Sequence, residues 1–279
     1  TKKSKLMAFL PFFSSLFNNL QFTIYNLQLK KMLPPKDRFS AHAHQYAQFR
    51  PNYPDELYTY IYSRTKNFDL AWDCATGNGQ VALQLAHKFK QVYATDISQK
   101  QLNHAAPNPR IQYTIARAEQ TPFQNQQFDL ITVGQALHWF NQEAFYNEAR
   151  RLAKPQAQIA VWGYGVLKVN DAVDTIINQF YTQTLHNYWD TERHHIDTQY
   201  RNIPFPFKQV QQKDFIIHRH WQLNQLINYL NTWSGVKKFI EQNNHNPTNE
   251  LATQLTQILP NNNTLHIKFP VFMLSGLFD

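Results

Sequence analysis

Cysteine occurs once in this chain, at Cys74, so an intrachain disulfide is excluded and a cysteine-built metal centre lacks its ligands. The single thiol fits a reducing compartment, and a cytoplasmic location is expected. Glycine is scarce, at seven in 279 residues, so two glycines close together imply a local backbone requirement. No G-x-S-x-G elbow and no P-loop lysine occur, which leaves acyl transfer and nucleotide hydrolysis without their parts. Twelve histidines include the close pairs His42/His44, His194/His195 and His218/His220, but none has the i, i+4 spacing with an acid that builds a hydrolase zinc site. They read as solvated or packing residues, and no metal is expected.

Acids are outnumbered, giving a net charge of +8. Residues 1–38 hold seven Lys/Arg and one acid, whereas the other 241 residues hold twenty basic and eighteen acidic side chains. The folded part is therefore nearly balanced, without a basic stripe, and no nucleic-acid partner is expected. Long hydrophobic runs are also missing. Residues 6–17 are apolar but interrupted by Pro11, Ser14 and Ser15, and Asn18, Asn19 and Gln21 follow, which makes a poor membrane span. No small-x-small cleavage site follows convincingly. Residues 1–38 are read as an N-terminal extension, either disordered or lying upstream of a natural start at Met32; a surface-binding amphipathic segment is the sharper alternative. An apolar content of 43% supports a sizeable core, in one large domain or a domain with a cap. No repeat or low-complexity tract appears, and a monomer is expected.

What is present is organised around Leu70-Ala71-Trp72-Asp73-Cys74-Ala75-Thr76-Gly77-Asn78-Gly79-Gln80. A short apolar run ends in an acid, a small-residue loop carries two of the seven glycines, and Val81, Ala82, Leu85, Ala86 and Phe89 then recur at helical spacing. This is the strand, turn and helix that open a doubly wound sheet. A dinucleotide loop reads G-x-G-x-x-G, whereas the small positions here are Ala75, Gly77 and Gly79. A second β-rich run ends at Asp96, 23 residues beyond Asp73, where a carboxylate can accept from both ribose hydroxyls of a nucleoside. Its neighbour Ile97 could cover one adenine face. Residues 111–115 and 128–133 read as third and fourth strands, and 159–162 as a fifth, ending in Gly163-Tyr164-Gly165. Asn141 is placed to cap the helix after the fourth strand, with Pro155 stopping it.

Beyond residue 165 the composition turns to Asn, Gln, His and aromatics. Residues 172–185 look helical, 215–217 suit a strand, and Leu226, Leu230, Trp233 and Phe239 mark one helix. Asn246-Pro247 starts another helix through Ile258. Leu265, Ile267 and Phe269 alternate as a final strand, in which Pro270 suggests an edge or a bulge.

The small-x-G-x-G loop resembles the first motif of class I S-adenosylmethionine-dependent methyltransferases, with Ala75 in place of the usual first glycine. Two further stretches, Arg50-Pro51-Asn52-Tyr53-Pro54 and Ala136-Leu137-His138-Trp139-Phe140, resemble the trans-aconitate methyltransferase-like subgroup, although Asn141 stands where that subgroup often has Asp. The resemblance covers residues 39–165 and implies a Rossmann-like α/β fold. Its mostly parallel seven-stranded sheet is doubly wound and carries a helical cap, with residues 166–279 supplying the cap and the last strands. It implies S-adenosyl-L-methionine as cofactor, held by Asp73, Ala75, Thr76, Gly77, Asn78, Gly79, Asp96, Ile97, Ala118, Glu119, Gln135 and Ala136, with Tyr46 and Arg50 closing over it. Surface and packing roles are equally open for Tyr46 and Arg50. The acceptor is expected to be a small molecule, with a carboxylic acid the leading choice. His138 would lie nearest the transfer, as a base for a hydroxyl or amine or as an orienting group for a carboxylate. Trp139, Trp162 and Tyr164 would wall the acceptor pocket, with plain core packing as their alternative. The rivals are a nicotinamide-dependent oxidoreductase and a non-catalytic nucleoside-binding module of the same fold.

Overall fold

The computed structural model describes residues 51–259 and 264–279. Seven strands form one sheet in the order β3-β2-β1-β4-β5-β7-β6. In chain order they are β1 (Leu70–Cys74), β2 (Gln91–Asp96), β3 (Ile111–Ile115), β4 (Phe128–Gly134), β5 (Ala153–Tyr164), β6 (Lys208–Trp221) and β7 (Leu265–Leu277). The first five run parallel, and β7 is antiparallel to both β5 and β6. This is the doubly wound, mostly parallel sheet that the sequence predicts. Helix α1 (Asp55–Arg64) precedes it, while α2 (Gln80–Leu85), α3 (Gln99–Leu102) and α4 (Gln142–Leu152) follow β1, β2 and β4. The long connections supply the cap helices. Between β5 and β6 lie α5 (Asp171–Gln179) and α6 (Arg193–Asp197); between β6 and β7 lie α7 (Leu223–Leu230), α8 (Ser234–Asn243) and α9 (Thr248–Ile258).

The period of two along each central strand divides the core into two faces. Ala71, Leu130, Ala160 and Trp162 point to the face covered by α1, α2, α5 and the helices between β6 and β7. Trp72, Ile131, Ile159 and Val161 point to the other, where Phe145, Ala149 and Leu152 of α4 meet Tyr200 and Phe272. Asn141 caps α4 through its side-chain oxygen, which accepts from the Ala144 N–H at 3.2 Å. Because the chain enters at β1, winds outward to β3 and returns to β4, the crevice above the carboxyl ends of β1 and β4 is the switch point of the sheet.

Several local expectations need correction. Helix α4 ends at Leu152, so Pro155 does not stop it; Pro155 lies inside β5, ahead of the residues that pair with β4 from Gln158 onward. The single helix expected from Leu226 to Phe239 is two, with Trp233 as the N-cap of α8. Strand β7 is interior, and Pro270 sits within it without a bulge. The Pro270 carbonyl accepts from the Gly165 N–H at 3.1 Å, so its nitrogen faces the chain leaving β5, one step past the last ladder pair Tyr164↔Val271. No ladder hydrogen bond to β6 is lost there. Helix α5 continues as a π-helical turn, Phe180–Thr184, closed by the Leu185 N–H on the Phe180 carbonyl. Tyr46, Arg50 and the extension fall outside the described residues. Among those residues, no helix is long and apolar enough to cross a membrane.

The loop between β3 and β4 is fastened by one carboxylate. Glu148 on α4, 8% exposed, accepts from the Thr121 N–H and hydroxyl and from Arg151, each at 2.7 Å. Arg151 in turn donates to the Phe123 carbonyl at 2.8 Å. Replacing Glu148 by Ala orphans these donors, and urea unfolding should show a loss of about 2–3 kcal/mol, the scale of a charged hydrogen bond. A change below about 0.5 kcal/mol, typical of surface substitutions, would contradict the fastening role.

Candidate functional site

Strand β1 delivers Asp73 to the switch point, and the chain then turns through Ala75, Gly77 and Gly79 at φ of 55°, 58° and 82°. The left-handed region is open to glycine and costs other residues roughly 1–2 kcal/mol, so Ala75 is held there by its surroundings. The Thr76 N–H donates to the Thr95 carbonyl at 2.9 Å, and the Gly79 N–H donates to the Thr76 carbonyl at 3.0 Å. Asp96, at the end of β2, completes the arrangement. One of its oxygens accepts from the Gly77 N–H and the other from the Ser98 N–H, both at 2.9 Å. A Cβ on Gly79 would lie 2.5 Å from the Tyr113 hydroxyl, so β3 also closes on this turn.

Alternation along β1 sends Asp73 to the face opposite Trp72 and Cys74. It is 1% exposed and accepts from the hydroxyls of Thr76 and Thr132. Burial pushes its pKa up to about 7, against the pull of those two hydroxyls, and the nearby Asp96 adds to the rise. No salt bridge reaches Asp73 among the described residues. Burial likewise raises the Cys74 thiol, which serves as core.

A cavity of about 80 Å³ opens here, lined by Pro51, Tyr53, Asp73, residues 75–78, Gln135 and Tyr164, among others. Gln135 stands at φ 55° and bonds the backbone of β5 from both ends of its amide: it accepts from the Tyr164 N–H at 2.7 Å and donates to the Tyr164 carbonyl at 3.3 Å. A Cβ on Gly163 would sit 3.1 Å from the Gln135 Oε1, so glycine makes room for that clamp. A roomier groove of about 660 Å³ lies elsewhere, between residues 52–56 and 215–219. It runs along the edge strand β6 and shares Tyr53 with the smaller cavity, but Asp73 and the 75–78 turn line only the latter.

The other predicted residues distribute as follows. Asn78 lines the cavity with the loop, whereas Ile97 is 39% exposed beside Asp96. Ala118 and Ala136 are buried. Glu119 accepts from the Asn141 N–H at 3.0 Å and pairs with Arg117, which ties two loops together. Trp162 is fully buried and does not line the cavity; its ring meets Tyr53 edge-on at 5.4 Å. Tyr53 itself takes a lining position, one marked in the sequence only by its place in the Arg50-Pro51-Asn52-Tyr53-Pro54 stretch. Trp139 stacks at a tilt on His138, with ring centres 4.7 Å apart. His138 is 5% exposed, in a 3₁₀ turn (Leu137–Trp139) three residues beyond Gln135. Burial, then the charges of Arg193 and His195, lowers its pKa to about 3.

A family model described as a methyltransferase domain matches residues 72–161, from β1 to β5. A Dictyostelium discoideum protein named for methyl transfer is 32% identical over 246 residues, covering 85% of this chain and 94% of its own length. The chain belongs to the methyltransferase family. A solved structure from Anaeromyxobacter dehalogenans, assigned as a type II methyltransferase, is 32% identical with a TM-score of 0.77, covering 82% of this chain and 98% of that one. The 2-phytyl-1,4-naphtoquinone methyltransferase of Trichormus variabilis is 33% identical over 104 residues, 33% of this chain and 45% of its own. The methyltransferase is a class I, S-adenosylmethionine-dependent enzyme, and its relatives do not favour the oxidoreductase or the non-catalytic alternative.

The buried acid gives the methyltransferase a distinct pH signature. An unfolded aspartate titrates near 3.9, so a folded pKa of about 7 means that the native state prefers the protonated form. Stability should therefore fall as pH rises from about 4 to 7, by up to ~1.4 kcal/mol per pH unit. The Asp73→Asn variant should lose this component. Parallel slopes for the two proteins in urea titrations across that range would contradict the assignment.

Proposed function

We propose that the methyltransferase transfers its methyl group to a small organic acid, with the cofactor held between the 73–79 loop and Asp96. The residues fit such a cofactor. Two carboxylates, Asp73 and Asp96, flank a turn whose backbone lies open, and a bound cation beside Asp73 would offset the energetic cost of ionising it. S-adenosylmethionine, when bound, supplies a methyl group made electrophilic by its sulfonium. Asp96 is positioned for ribose hydroxyls while it keeps the Gly77 N–H. Ala118 and Ile97 are assigned to the adenine, and Tyr53, Gln135 and Tyr164 to the end nearer the acceptor. Tyr46 and Arg50 retain their proposed closing role.

One observation carries the acceptor class. His138 is uncharged far below neutral pH because it is buried. A general base works best with a pKa near the working pH, so this imidazole is poorly suited to deprotonating a phenol or an ammonium group. A carboxylate arrives ionised and needs orientation alone. The protein's part is then alignment and exclusion of water. His138 directs the acceptor oxygen, and the half-buried Trp139 and the aromatic pair Tyr53/Tyr164 shape the approach, with Trp162 supporting Tyr53 from below. The sequence run from Ala136 to Phe140 adds its likeness to the trans-aconitate methyltransferase-like subgroup. The nearly balanced charge beyond residue 38 also suits a small acceptor better than a nucleic acid.

A panel of small carboxylic acids, phenols, amines and RNA, followed with a labelled methyl group, tests this reading. Methyl esters of acids are the expected products. His138→Ala should lower turnover of the reactive acid by less than about a hundredfold, the low end of general-base effects. Methylation confined to phenols, amines or RNA would overturn the assignment.

A further inference from the structure

His138 is held by a residue from the cap. The Tyr200 hydroxyl lies 3.0 Å from the His138 Nδ1, and the Tyr200 ring is fully buried, edge-on to Phe272 at 5.1 Å. The placement is strained. Gln199 and Tyr200 both sit in the left-handed region, at φ 55° and 59°, and the Tyr200 N–H closes on the His195 carbonyl at 2.7 Å. Two successive non-glycine residues are disfavoured there, so the contacts that hold the ring inward must compensate.

The direction of the hydrogen bond follows from the inventory of groups around the phenol. The Tyr200 hydroxyl has one hydrogen-bond partner among the described residues, the His138 Nδ1. Complete burial keeps the phenol protonated. Its own hydrogen needs an acceptor, and the His138 Nδ1 is the acceptor within reach among the described residues. An imidazole that accepts at Nδ1 while neutral carries its proton on Nε2. Nε2 has no partner among the described residues, yet it is not one of the sealed polar atoms. The Nε2 N–H is thus the donor that the ring has left to offer.

We infer that Tyr200 is a positioning residue that locks His138 in its Nε2–H tautomer, so that His138 offers the acceptor a hydrogen-bond donor and not a base. This rests on the acceptor reading above and deepens it. A neutral donor favours an acceptor oxygen that is already anionic and fixes its lone pairs relative to the incoming methyl, and no proton changes hands. It works against acceptors that must lose a proton during transfer. The strained turn after α6 then makes sense as the device that presents the phenol from the cap to the end of β4.

The test is the nitrogen-15 NMR pattern of the imidazoles in the full-length protein at neutral pH, with the His138 signals assigned by their loss in His138→Gln. The wild type should show His138 as the Nε2–H tautomer, and Tyr200→Phe, which keeps the ring, should convert it to a mixture. An Nδ1–H tautomer in the wild type overturns the inference even where the variant fails to fold. So does a pattern unchanged by Tyr200→Phe. In transfer assays, Tyr200→Phe should lose about tenfold in kcat on a reactive acid, equivalent to one hydrogen bond of ~1.4 kcal/mol, with the KM for S-adenosylmethionine unchanged. A locked tautomer in a protein that methylates no acid supports the positioning role and refutes the acceptor class. Acid methylation by a protein with the Nδ1–H tautomer does the reverse.

Discussion

The Asp96 carboxylate is the contact on which the geometry of the site depends. It bonds the Gly77 N–H with one oxygen and the Ser98 N–H with the other, joining the turns that follow β1 and β2 at the switch point of the sheet. Between those strands, the Thr76 N–H on the Thr95 carbonyl prolongs the parallel ladder one step past its end. Together these bonds hold the left-handed path through Ala75, Gly77 and Gly79, which an isolated chain would not keep. The backbone is thereby open on the side where Asp73 and the cavity lie. A site of this kind is preorganised by main-chain bonds, which suits a reaction whose chief requirement is alignment.

The second organising feature is the division of labour between the sheet and the cap. β4 and β5 end in a clamp, Gln135 on the Tyr164 backbone, that fixes the near wall. The cap contributes Tyr200, bonded to His138, from a strained turn at the end of α6. The histidine's surroundings are thus set from outside the strand-and-loop frame. Exchanging the cap would change what the histidine does while leaving the cofactor side intact. Folds of this class vary their function in that way, through sites grafted on a common frame.

The sheet was legible because its signals are local. Apolar runs ending in Asp73 and Asp96 mark strands, and small residues at 75, 77 and 79 mark a turn with positive φ. The two-faced burial of β1, β4 and β5 follows from alternation. What escaped the sequence depends on distant partners. Pro270 reads as an edge signal, but its missing N–H falls just where β5 has stopped pairing, so an interior strand tolerates it. Trp162 looks like a pocket wall near the end of β5, yet it is fully buried, with Tyr53 packed edge-on against its ring. Tyr200 has no local signal at all: 62 positions separate it from His138, and only the folded cap brings them together.

In the proposed reading, the left-handed loop and Asp96 hold the nucleoside of the cofactor. A crystal structure of the protein soaked with S-adenosylhomocysteine tests it directly. The expected density has ribose hydroxyls on the Asp96 carboxylate, the amino-acid end beside Asp73 and the 75–77 backbone, and adenine against Ile97 and Ala118. A nucleoside bound instead in the groove between residues 52–56 and 215–219, or one that leaves Asp96 untouched, would contradict it.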